Sequence, residues 1–156
     1  MVGFRATTTA MARMLCGMAT VEYLHICDTA FMAEGGKHCI IGIFDAINAP
    51  AFPATHPSLT VAMRVRGQAH EALSLRVELS RPNGELLATI PMEITLNEDG
   101  SHFVNLNMVG IQFPAAGRYT VKASEGRQAL VSHSLIVQQI QAPAGPQGGP
   151  APQIRH

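Results

Sequence analysis

Four side chains with an affinity for soft metals fall within a short stretch: His25, Cys27, His38 and Cys39. Imidazole nitrogen and thiolate sulfur are the usual zinc donors, and a closed structural site takes four of them. His25 and Cys27 are two apart, so on a strand they share a face. His38 and Cys39 are adjacent and point to opposite faces, so at most three of the four converge. Three ligands with an open position would suit catalysis rather than structure. The short ligand spacings of zinc motifs are absent, and both stretches read as core-forming strands, so we expect no metal and no cofactor. Cys16 is the third cysteine, and an odd count without C-x-x-C is not a disulfide framework. Cys27 and Cys39 lie on successive expected strands and either face each other or serve as small buried apolar groups.

Asp28, Asp45, His56 and Ser58 supply the residue types of a hydrolase: an orienting acid, a base and a nucleophile. Ser58 enters a strand, however, and no G-x-S-x-G elbow exists. Asp28, Asp45 and Asp99 are single and scattered, whereas calcium takes six to eight clustered oxygens. Neither a G-x-G-x-x-G nor a P-loop occurs. The segment 45–57, DAINAPAFPATHP, carries Pro50, Pro53 and Pro57 and reads as an ordered crossing loop. Long ordered loops in compact domains are often functional. Asp45, Phe52 and His56 are therefore the candidate binding residues, with Phe52 either closing one end of the fold or facing a partner.

The elements that would position these residues have a period of two rather than 3.6. Val21–Cys27 forms a first strand, Gly35-Gly36-Lys37 a turn, and His38–Phe44 a second strand. This second strand is apolar on both faces and reads as central. Leu59–Val65 follows the proline segment. Leu73, Leu75, Val77 and Leu79 alternate with Ser74, Arg76, Glu78 and Ser80, the clearest inside–outside pattern in the chain. Arg81-Pro82-Asn83-Gly84 reverses it into Leu86–Ile90, ending at Pro91. Phe103–Met108, Tyr119–Ala123 and Ala129–Val137 complete the set. Strands at spacings of about ten residues predict an all-β, immunoglobulin-like β-sandwich of about 7–9 mostly antiparallel strands with little helix. A barrel is the alternative. Tyr119, after Gly117-Arg118, sits where such folds tie a tyrosine hydroxyl to nearby backbone. Any short helix or turn is expected at Thr29–Glu34 or Asp45–Asn48.

The two ends differ from this middle. Residues 1–19 hold Arg5 and Arg13 and no acid, which mimics a transit peptide. We expect either a disordered extension or a start placed too early, with Met18 opening the chain. Residues 141–156, rich in Pro, Gly, Ala and Gln, have little to bury and are expected to be a disordered tail. The domain itself is expected over 20–140. Lys+Arg and Asp+Glu are 11 each, for a net charge of +0. That balance argues against nucleic acid or a membrane as partner, since both are met with clustered positive charge. No apolar run reaches the roughly 18 residues needed to span a bilayer.

The order Ile26-Cys27-Asp28, Gly36-Lys37, Ile40-Ile41-Gly42-Ile43-Phe44-Asp45, Phe52-Pro53, His56-Pro57 is distinctive. With Arg81-Pro82-Asn83-Gly84 and Gly117-Arg118-Tyr119, it resembles a family of small bacterial proteins known as a domain of unknown function, over about Thr20 to Val137. The resemblance implies a compact, cytoplasmic bacterial domain and brings no activity, cofactor or catalytic residue. The expectation is a non-catalytic protein-binding or assembly module, with a protein partner or self-association. The alternative is a small metal-dependent or nucleophilic hydrolase built on His25/Cys27/Cys39 or Asp28/Asp45/His56.

Overall fold

The computed structural model describes residues 18–141. The expectations for residues 1–17 and 142–156 lie outside the described residues. Nine strands follow in order: β1 (Thr20–Ala33), β2 (Lys37–Ile43), β3 (Ala46–Ala49), β4 (Ala54–Arg66), β5 (Ala72–Ser80), β6 (Leu86–Thr95), β7 (Ser101–Phe113), β8 (Gly117–Glu125) and β9 (Gln128–Gln139). They form a four-stranded sheet, β2-β1-β4-β7, and a five-stranded sheet, β3-β9-β8-β5-β6. Every pairing is antiparallel except β3 with β9. The chain is an immunoglobulin-like β-sandwich, and no helix occurs among the described residues.

Alternation builds the core. Leu73, Leu75, Val77 and Leu79 of β5 all turn inward and are at most 2% exposed. Leu59, Val61, Met63 and Val65 of β4 meet them from the other sheet, each 0% exposed. Burying such a side chain contributes roughly 2 kcal/mol. On the outside of the five-stranded sheet, Lys122 Nζ lies 2.7 Å from the Glu78 carboxylate on the neighbouring strand. Tyr119 is fully buried, packs edge-on against Phe113 with centroids 5.0 Å apart, and donates its hydroxyl to the Ala115 carbonyl at 2.8 Å. The tyrosine corner thus forms where Gly117-Arg118-Tyr119 places it. Gly117 is needed there, because a Cβ at that position would press into the Pro82 ring.

Several local expectations are corrected. Thr29–Ala33 continues β1 and Ala46–Ala49 is β3, so neither proposed helix exists. Both stretches find ladder partners, which overrides their weak local preference. The proline segment is not one loop. Pro57 is accommodated within β4 because the ladder passes over it between the pairs His56–Ile111 and Ser58–Val109. Pro91 does not end β6 either. It lies within that strand, which is a sheet edge and so tolerates a missing donor. Above all, β2 is an edge strand, not a central one. The centre of its sheet is taken by β1 and β4.

Candidate functional site

Side chains that alternate with the core residues of β1 and β4 form the outer face of the four-stranded sheet. The registers place Tyr23, Arg64 and Phe103 in one row, His25, Ala62 and Asn105 in the next, and Cys27, Thr60 and Asn107 in a third. A single-sided sheet would leave these rows wet. Instead Cys27 and Ala62 are 0% exposed and Thr60 only 4%. The cause is the β1–β2 hairpin, which runs past the sheet and bends back over it. His38, one residue into β2, lies 2.7 Å by Nδ1 from the Tyr23 hydroxyl and 2.6 Å by Nε2 from Asn105 Oδ1. Asn105 is on β7, two strands away from β1, so the arm crosses the face. An amide oxygen only accepts, so His38 Nε2–H donates to Asn105 Oδ1, and in that tautomer Nδ1 accepts the Tyr23 O–H.

Aromatic contacts fasten the same place. Tyr23 stacks on His25 at 5.4 Å and the His38 ring tilts against Phe103 at 4.8 Å. The Arg64 guanidinium sits 5.0 Å over the Phe103 ring and 3.2 Å from the Glu22 carboxylate. Burial pushes the Tyr23 phenol above its ordinary pKa, against the opposing charge of Arg64. A phenol that is held protonated and donates its hydrogen is not a nucleophile at neutral pH. This cluster is a clasp for the arm.

The metal-ligand types are dispersed. Cys27 is opposite Ile43 and Cys39 is opposite Phe31, so the two cysteines do not face each other across the hairpin; both thiols are free. The Cys27 thiol points at the carbonyls of Thr29 and Thr60, at 3.4 and 3.5 Å. Burial, then the Asp28 charge, push its pKa up. His25 and His38 are engaged with Tyr23. Among the described residues no three His, Cys, Asp or Glu side chains form a group that could hold a metal.

The 45–57 segment gives a different picture. His56 borders two shallow clefts. One, of about 360 Å³, is lined also by Asp28, Gly42, Ile43 and Asn48. The other, of about 340 Å³, is lined by Pro50, Pro53, Thr55 and Phe113. A side chain at Gly42 would run into the Asp28 carboxylate, and its φ of +69° also suits only glycine. Asp45 sits at the bend between β2 and β3, where its carbonyl accepts the Ile136 N–H at 2.8 Å. Phe52 is half-buried against the core, which anchors the segment. His56 is 5.7 Å from the Phe44 ring, and among the described residues it has no hydrogen bond to Asp28, Asp45 or Ser58. Ser58 is a ladder residue opposite Val109. Asp99 accepts the Ser101 hydroxyl at 2.8 Å and the Ser101 N–H at 3.1 Å, a turn rather than a cation site.

The sequence reading missed a surface. The arm exposes Phe31 (46%), Met32 (45%), Ile41 (53%) and Ile43 (58%) beside the open edge of β2. The signal was present in the apolar run 38–44, which is apolar on both faces although it stands at an edge.

The model of a family described as a family of unknown function (DUF6941) matches residues 22–138. No curated protein matches the chain. Among solved structures, the C-terminal domain of wzt is similar with a TM-score of 0.51 at 13% identity, covering 83% of this chain and 78% of that one. That likeness is one of fold. An immunoglobulin-like protein from Pseudomonas aeruginosa aligns at a TM-score of 0.44 and 11% identity, over 80% of this chain and 99% of its own. The Pseudomonas fluorescens alkylpurine DNA glycosylase AlkC aligns at 0.46 and 11% identity, over 77% of this chain. The chain spans only 30% of that glycosylase. Among the described residues, no helix is long and apolar enough to cross a membrane.

Proposed function

We propose that this chain, which belongs to the family of unknown function DUF6941, is a non-catalytic protein-binding or assembly module of the bacterial cytoplasm, and that it takes its partner on the β1–β2 arm. The observation that carries this reading is the apolar, open-edged arm with Phe31, Ile41 and Ile43 in solvent. Edge strands are normally blunted by charge, proline or brevity, because their free N–H and C=O groups recruit other chains. This one has seven residues and a single charged side chain, Lys37. The Asp28–Ile43–His56 cleft opens at the base of the arm, so His56 extends the same surface while Phe52 holds the segment in place.

The test is native mass spectrometry of the full chain isolated gently from its own cells, beside an Ile41→Asp, Ile43→Asp variant. The wild type is expected in a discrete complex and the variant as a bare monomer with unchanged circular dichroism. A wild type that is itself a bare monomer overturns the reading.

A further inference from the structure

We propose that the cleft at the base of the arm receives an arginine side chain of the protein partner, its guanidinium held between the Asp28 carboxylate and the rings of Phe44 and His56. The inference rests on the binding-module reading and gives the partner's chemistry at that surface.

Asp28 is set in place from two sides. Its backbone carbonyl accepts the hydroxyl of the buried Thr60 at 3.3 Å. Its carboxylate lies in the space that Gly42 leaves by having no side chain. That carboxylate is nevertheless left over: among the described residues it has no hydrogen bond and no ion pair. Asp28 is exposed, so an incoming group reaches it. No Lys or Arg lines the cleft, so the charge there is negative and unanswered.

The cleft beside the β6–β7 turn shows the contrast. It is lined by Glu98 and Asp99 and by no Phe or Tyr. Asp99 is already engaged, accepting the Ser101 hydroxyl at 2.8 Å and lying 3.8 Å from the Arg64 guanidinium.

An exposed ion pair alone is weak, so the remaining walls decide what the Asp28 cleft takes. Phe44 and His56 both line it, with ring centroids 5.7 Å apart and planes tilted by 57°. A guanidinium is flat, stays charged, stacks on aromatic rings and meets a carboxylate through two parallel N–H donors. An ammonium is more strongly hydrated and lacks the fork. Ile43, 58% exposed, offers apolar surface to the arginine stem. The second cleft, at Pro50, Pro53 and Phe113, shares His56 with the first and gives room to the residues flanking the arginine.

The experiment is an NMR titration of the full chain, following the Phe44 and His56 ring signals. The probes are N-acetyl-arginine amide and its neutral isostere N-acetyl-citrulline amide, each at millimolar concentration. Arginine is expected to give a saturable shift that citrulline does not give. The shift is expected to vanish in Asp28→Asn, which keeps the shape of the side chain and the circular dichroism. The citrulline control needs no variant, so a folding defect cannot imitate the result. Native mass spectrometry of Asp28→Asn from its own cells should then show less bound partner than the wild type. No shift, an equal shift with citrulline, or a shift retained in Asp28→Asn overturns the proposal. The module reading survives any of these if the complex still depends on Ile41 and Ile43. An arginine shift in a chain that leaves its cells as a bare monomer overturns the protein source of the arginine and the module reading together.

Discussion

The four-stranded sheet is covered twice, and its two covers are made differently. On its inner side, Leu24, Ile26, Leu59, Val61 and Met63 meet the five-stranded sheet in a wholly apolar layer. On its outer side, the arm is held by Tyr23, His38 and Asn105, by stacked rings and by the Arg64–Glu22 pair. The inner cover is non-directional and scales with area removed from water. The outer one depends on a few directional contacts, some of them at exposed atoms where water is a ready substitute. Two kinds of attachment on one sheet divide the molecule into a scaffold that must stay folded and an arm that is free to serve a contact.

The largest expected effect belongs to the inner cover. Leu135→Ala, at a fully buried position, should cost about 2–5 kcal/mol by lost transfer energy and a residual cavity. Urea unfolding of the two proteins measures it. Tyr119→Phe keeps the ring against Phe113 but removes the bond to the Ala115 carbonyl. Leaving that acceptor without its donor should cost about 1–3 kcal/mol in the same assay. If either change were nearly free, the sandwich would not be the rigid partner in this pair.

Breaking the clasp should look different. His38→Ala removes both hydrogen bonds that tie the arm to Tyr23 and to β7. Asn105 is exposed, so water replaces the lost partner, and global stability should fall by less than about 1 kcal/mol. Hydrogen exchange should nevertheless accelerate across residues 28–43 and stay slow in β5 and β8, since local opening is cheaper than global unfolding. A global loss equal to that of Leu135→Ala would merge the two covers into one cooperative core.

Much of the scaffold was legible because its signals are local. The alternation of Leu73, Leu75, Val77 and Leu79 names the faces of β5 without reference to any other strand. The Arg81–Glu85 reversal and the Tyr119 corner are written within five residues each. The arm was not legible, for the opposite reason. His38 meets residues 15 and 67 positions away, and no period-two pattern encodes a hairpin folding onto the far face of its own sheet. The apolar run His38–Phe44 was read as central because both of its faces are apolar. Among the described residues no strand lies beyond β2, so a run with two apolar faces stands at an edge. The helix expected at Thr29–Glu34 failed in the same way, because its partner strand was needed to see the ladder.

The two cysteines test the same division without perturbing either cover. Cys27 lies beneath the arm at 0% exposure, its pKa raised chiefly by burial, while Cys39 is half-buried on the arm. The thiolate is the reactive form, so burial protects Cys27 both by excluding reagent and by keeping its proton. Iodoacetamide applied to the folded chain, followed by peptide mass spectrometry, should modify Cys39 and spare Cys27. The sign with pH follows. A thiol whose folded pKa is raised ionises first in the unfolded chain, so its contribution to stability is present below the ordinary thiol value and is lost as pH rises past it. In the His38→Ala variant, Cys27 should begin to react while the protein remains folded, because its thiol points at the Thr29 carbonyl of the arm as well as at Thr60 of β4. Labelling of Cys27 that appeared only together with global unfolding would mean that the arm does not open independently, and that the outer cover belongs to the scaffold.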